Sequence, residues 1–162
     1  MVSSRTVKRR HQQMVGNQIV DRVQQVIEQD RAILDTFGMT VLKALDGECV
    51  IRCQVPAGMV NAAGFAHGAI VYALMDTGCA YALGSTGVGG VTIHGDVKYV
   101  KGGQAGSNFE ARVNIASRGR RVATLQGQVH LLSEGSDESA TADSEVTELA
   151  AFGSFVFQLR TE

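Results

Sequence analysis

The stretch from Gly68 to Leu83 is a long run of apolar and small residues interrupted by a single charge, Asp76. It holds no proline, and its alanines, leucines and methionine are good helix formers, so it reads as a helix. At the α-helical rise it would span about 24 Å. Apolar side chains occupy almost the whole circumference, which predicts a helix buried in the middle of the protein. Such a helix needs other elements wrapped around it. It also makes Asp76 expensive, because a carboxylate taken from water must be paired, hydrogen-bonded or put to use. A functional carboxylate is one reading of Asp76; a bond to neighbouring backbone or to an interface partner is the other.

The flanking sequence supplies the wrapping as strands. Met39 to Ala44 and Glu48 to Val55 are joined by Asp46-Gly47, a pair suited to the positive φ of a tight hairpin turn. Pro56, the sole proline, closes the second strand because it withholds a backbone donor. After the glycine-rich stretch Gly84 to Gly90 come Val91 to Val100, Asn108 to Ala116 and Arg121 to Leu132. Val113 and Ile115 alternate with Arg112 and Asn114, the pattern of a sheet with one wet face. Ser133 to Thr147 is polar and acidic and reads as a surface loop, and Leu149 to Leu159 as a sixth strand. Ahead of all this, Val15 to Thr36 reads as one amphipathic helix with Val20, Val23, Ile27 and Leu34 on its apolar stripe. The expected division is an N-terminal helical segment over 1–37 and a main domain over 38–162. Helices against one face of an antiparallel sheet make an α+β fold. At 162 residues, 44% apolar and 19% charged, the chain suits a single globular core.

Gly68 gives the helix a second chemical feature. A helix N-terminus offers unpaired N–H groups and the positive end of its dipole, and without a side chain Gly68 admits a carbonyl close to its N–H. Asp76 follows eight residues later, about 12 Å along the axis, too far for one helix to bring both groups to one carbon. Two antiparallel copies would do so, with Gly68 of one facing Asp76 of the other.

The stretch Asn61-x-x-Gly64-x-x-His67-Gly68-Ala69, with Asp76 nine residues after His67, resembles the hotdog-fold thioesterases of the phenylacetate-degradation (PaaI-like) type. The resemblance covers about 39–132 and 149–159. It implies a long central helix wrapped by a curved antiparallel sheet of about six strands, with the N-terminal helix as an addition. It further implies hydrolysis of a small, aromatic or medium-chain acyl-CoA between subunits of a homodimer, itself expected to pair into a homotetramer. Asp76 would activate water or attack the thioester, the Gly68 N–H would hold the oxyanion, and Asn61 would position the carbonyl or the nucleophile. His67 would order the loop, and Thr92 would help place the attacking water, though it also fits as a plain strand residue. Ala69 departs from the pattern, where a second glycine is common, and the 133–147 loop is longer than the usual hairpin. No cofactor is expected, since CoA belongs to the substrate.

Arg118, Arg120 and Arg121 sit at a predicted strand turn and, with Lys98, are candidates for the phosphates of CoA; a solvated basic turn is the competing reading. Tyr99 and Lys101 are weaker candidates. Phe65, Met59, Tyr72, Met75 and Tyr81 are possible pocket residues, and equally core. A non-catalytic acyl-CoA binder and a hotdog hydratase using His67 with Asp76 stand as alternatives.

The formal net charge of −1 offers no general basis for nucleic-acid binding. No apolar run reaches the roughly 20 residues of a membrane helix, and the charged start lacks an apolar segment behind it, so a cytoplasmic location is expected. Cys49 and Cys53 share a face of one strand and read as buried small apolar groups, so no metal is expected. Cys79 lies three residues past Asp76, on what reads as the same helix face, without an activating base.

Overall fold

The computed structural model describes residues 18–133 and 148–160. Two short helices open it, α1 (Asp21–Gln29) and α2 (Arg31–Phe37). The strands β1 (Met39–Leu45) and β2 (Glu48–Gln54) follow, then the long helix α3 (Gly68–Ser85). Four strands complete the order: β3 (Gly90–Tyr99), β4 (Asn108–Arg118), β5 (Val122–Leu131) and β6 (Glu148–Leu159).

The six strands form one antiparallel sheet in the order β1-β2-β4-β5-β6-β3. The β1–β2 turn has Asp46 and Gly47 both at positive φ, 52° and 82°, as a tight hairpin matched to the strand twist requires. Irregular registers interrupt four of the five ladders, and such bulges bend a sheet so that it can curl around a helix. α3 lies in that curve. Ile70, Leu74, Met75, Cys79, Ala82 and Leu83 pack onto Ile51, Phe109, Leu125, Phe155 and Phe157 in one continuous core. Burial at this scale is the main stabilising term of the fold.

Three expectations need correction. The single N-terminal helix is broken at Asp30, whose carboxylate accepts a 2.9 Å hydrogen bond from the Tyr81 hydroxyl. The change of axis there sets Val23, Ile27 and Leu34 against the core together; the part of the expected helix before residue 18 lies outside the described residues. α3 is not covered all round, since Ala69, Tyr72 and Ala80 are exposed and Asp76 is half-buried between them. Its sequence has almost no polar face, so periodicity alone had no way to mark the side left open. Cys79 does not share that open side: it is wholly buried. The expected loop over 133–147 lies outside the described residues beyond Ser133.

Candidate active site

Asp76 sits midway along the open side of α3, and its Oδ1 accepts a 2.7 Å hydrogen bond from the Thr92 hydroxyl on β3. Burial pushes the Asp76 carboxyl above the usual carboxylate range, and the Thr92 bond pulls part of the way back. A carboxylate poised this way is a better base than a solvated one.

β3 reaches α3 twice. Thr92 meets Asp76, and seven residues on the Tyr99 hydroxyl donates to the Gly68 carbonyl at 3.0 Å. In a regular strand an odd spacing puts two side chains on opposite faces. The register shift between Thr92 and His94 inserts Ile93 as an extra residue, so that Thr92, Gly95 and Tyr99 stand opposite the inward residues Phe157, Phe155 and Ala151. The bulge is therefore what lets one strand address both ends of the site.

At the helix start, His67 Nδ1 accepts from the Ala69 N–H at 3.1 Å and caps the helix. That engages Nδ1 as an acceptor and leaves the ring proton on Nε2. The Gly68 N–H meets no acceptor among the described residues. Asn61 Oδ1 accepts from the Ala63 and Phe65 N–H groups at 2.9 and 3.1 Å and so shapes the approach loop. A cleft of about 370 Å³ opens here, lined by Asn61, Phe65, Gly68, Val71, Tyr99 and Phe109 among others. Asp76 and Thr92 do not line it. One chain thus carries an acid station and a donor station, brought to different places on the same helix.

The thioesterase superfamily model matches residues 63–136, a stretch that contains His67, Gly68, Asp76 and Thr92 but begins just after Asn61. Over that stretch the chain is similar to the thioesterase superfamily. It is 26% identical over 98 residues to acyl-coenzyme A thioesterase PaaI of Escherichia coli strain K12, covering 60% of this chain and 70% of the relative. The solved E. coli PaaI protein from the phenylacetic acid degradation operon superposes with a TM-score of 0.72 at 18% identity, covering 86% of this chain and 94% of that one. A mutant of the phenylacetic acid degradation protein PaaI from Thermus thermophilus is 28% identical, with a TM-score of 0.64 and coverage of 78% and 98%. A hypothetical thioesterase from Streptococcus pneumoniae, solved with coenzyme A, gives 0.70 at 18% identity over 84% and 98%. The hotdog architecture follows.

The remaining candidates fall elsewhere. Arg118 ends β4 and donates to the Thr86 hydroxyl at 3.0 Å, and Arg120 and Arg121 form the β4–β5 turn. This is the C-terminal end of α3, away from the Gly68 cleft. Lys98 is exposed on β3 and paired with Asp96. His94 is exposed on the same strand. Of the possible pocket residues, Phe65 lines the cleft, whereas Met75 and Tyr81 are core. Burial drives the Cys79 thiol far above its ordinary value, helped by the Asp76 charge, so it is no thiolate nucleophile. Cys49 and Cys53 are buried free thiols. Among the described residues no group of three or more His, Cys, Asp or Glu is arranged to hold a metal. Tyr99 at Gly68 was not foreseen as a helix contact; its odd spacing from Thr92 concealed it.

Proposed function

We propose that this protein is a thioesterase that hydrolyses acyl-CoA thioesters at a site shared by two copies of the chain. One observation carries the reading: the carboxylate and the free helix-start N–H lie on one helix, about 12 Å apart, in separate surroundings. Two helices side by side and antiparallel bring Asp76 of one copy to the Gly68 cleft of the other. The open side of α3 and the exposed apolar edge of β3, with Val91, Ile93 and Val100 uncovered, support such a pairing. The coenzyme A bound to the Streptococcus pneumoniae relative supports CoA as the carrier.

In this reading Asp76 removes a proton from water, or attacks the thioester carbon itself, while Thr92 steers the carboxylate. The carbonyl oxygen becomes an oxyanion against the Gly68 N–H and the positive end of the helix dipole. With water as the nucleophile, collapse expels the CoA thiolate, which takes up the proton that Asp76 removed, and leaves the free acid; with Asp76 as the nucleophile it leaves a mixed anhydride, which water then hydrolyses to the free acid and the restored carboxylate. Asn61 and His67 keep the loop and helix start in shape. The engaged Nδ1 of His67 supports hydrolysis over hydration, which needs a proton moved at carbon. A cleft of about 370 Å³ lined by Phe65, Val71 and Phe109 suits a compact acyl group.

A mixing experiment tests the shared site. Gly68 is the first helical residue, where proline is tolerated, and His67 has φ −63° and ψ 136°, the conformation that precedes proline. Gly68→Pro therefore removes the N–H donor and spares the helix. Gly68→Pro and Asp76→Asn should each be inactive. Co-refolded in equal amounts, they should recover roughly a quarter of the wild-type sites, because half the dimers are mixed and each has one intact site. No recovery from mixed dimers would place the site within one chain.

A further inference from the structure

Gly68 carries the free donor of α3, and glycine is also the residue with the most backbone freedom. A donor that must first be aimed is worth less than one already in place. Two peptide groups meet at the Gly68 Cα, and between them they carry four polar groups. In the first, the His67 carbonyl accepts from the Ile70 N–H at 2.9 Å. In the second, the Ala69 N–H donates to His67 Nδ1 at 3.1 Å, and the Gly68 carbonyl accepts from the Tyr99 hydroxyl at 3.0 Å. Three of the four are therefore held, and the fourth is the Gly68 N–H.

Two of these bonds come from within residues 67–70, and the third comes from the C-terminal end of β3. Tyr99 is 55% exposed, so packing alone does not fix its ring. The ring is instead anchored by its hydroxyl and by its close approach to Gly68. A Cβ at Gly68 would stand 3.3 Å from the Tyr99 Cζ and hydroxyl oxygen, a tight contact that glycine avoids. Behind the ring, the Val100 and Lys101 N–H groups both donate to the Ala150 carbonyl, at 2.8 and 3.0 Å, and tie the end of β3 to β6. Partial burial, with Tyr72 nearby, pushes the Tyr99 phenol above its ordinary value, so it stays protonated and able to donate.

We propose that Tyr99 is a positioning residue of the reaction: by holding the Gly68 carbonyl, its hydroxyl fixes the direction of the Gly68 N–H that receives the oxyanion. The assignment rests on the acyl-CoA reading above and adds what aims the donor. Tyr99 acts through Gly68, as Thr92 acts through Asp76, so one strand steers both stations of its chain. In a site shared by two copies, the Tyr99 that counts belongs to the chain lending Gly68. The Thr92 that counts belongs to the chain lending Asp76.

Tyr99→Phe keeps the ring and removes the bond. Its kcat should fall roughly tenfold, a smaller loss than the roughly 10²–10³ of deleting a donor, with KM changed by less than about twofold. The acid limb of kcat/KM should stay where it is, since Asp76 is untouched. Mixed dimers of Asp76→Asn and Gly68→Pro then show which chain's Tyr99 matters, because their working site takes its donor from the Asp76→Asn chain. Adding Tyr99→Phe to that chain should lower the recovered kcat roughly tenfold; adding it to the Gly68→Pro chain should not, since that chain's donor is already gone. An unchanged kcat, a rise in KM alone, or equal losses in the two mixtures would overturn the assignment. If neither mixture recovers activity, the shared site fails, and the kcat of Tyr99→Phe by itself decides the role of Tyr99. Should wild type cleave no acyl-CoA, the hydrolase reading fails instead. Nitrogen-15 relaxation of the Gly68 and Ala69 amides then decides: both should be rigid in wild type and more mobile in Tyr99→Phe, and equal mobility would refute the clamp.

Discussion

A carboxylate flanked by Leu74, Met75 and Cys79 is retained against its desolvation cost, and its surroundings set how that cost appears. Because burial raises Asp76, its charged form opposes folding: stability is fullest below the unfolded pKa and declines as pH rises through the higher folded value. Asp76→Asn removes that charge, so at pH 7 its melting temperature should not fall below that of wild type. Its kcat should nevertheless drop by about 10² or more, the usual worth of a positioned acid–base group. A drop smaller than tenfold in a folded variant would remove Asp76 from the chemistry. Thr92→Val deletes the hydrogen bond that lowers the Asp76 pKa. The reaction uses the ionised carboxylate, so activity is lost as pH falls through that pKa. The acid limb of kcat/KM should accordingly move to higher pH in Thr92→Val, and an unmoved limb would mean that Thr92 does not act on Asp76.

Among the elements, β3 is the one whose local irregularity matters most. Its bulge at Ile93 turns Thr92 and Tyr99 toward the same helix, and Gly95 between them makes room for Tyr72. A Cβ on Gly95 would stand 2.2 Å from the Tyr72 hydroxyl and 2.6 Å from the Phe155 ring. Gly95→Ala should therefore destabilise by about 1–3 kcal/mol, the common cost of overpacking. Tyr72→Leu in the same chain removes one of the two obstacles and should return part of the loss. Urea denaturation of the four chains of that cycle measures the coupling; strictly additive effects would show that Tyr72 does not fill the space beside Gly95. α3 makes the complementary point. Its ends were readable from Gly68 and the glycine-rich exit, yet which side of it stays open depends on where the sheet stops.

For the whole molecule, an exposed apolar strand edge beside an exposed helix face is an unfinished surface. Ile93 is 54% exposed at that edge. A charge there is a common natural device against edge pairing, so Ile93→Lys should shift the protein toward monomer in size-exclusion chromatography. Activity should fall in step with the dimer fraction while the Thr92–Asp76 contact stays in place. Full activity in a monomeric Ile93→Lys protein would end the shared-site proposal.

The local pattern of residues was enough for the strands, their antiparallel plan, the Asp46-Gly47 turn and the long helix, because alternation, turn chemistry and apolar runs are properties of neighbouring residues. It was also enough to single out Asp76, since one charge in an apolar helix stands out whatever the fold. Three-dimensional packing alone decided the break at Asp30, the open side of α3 and the turning of Tyr99 onto Gly68. It alone set the Arg22 and Arg160 side chains beside Gly87 and Gly89. Those outcomes depend on which distant segments meet, and side chains far apart in sequence become partners only when the sheet closes around the helix.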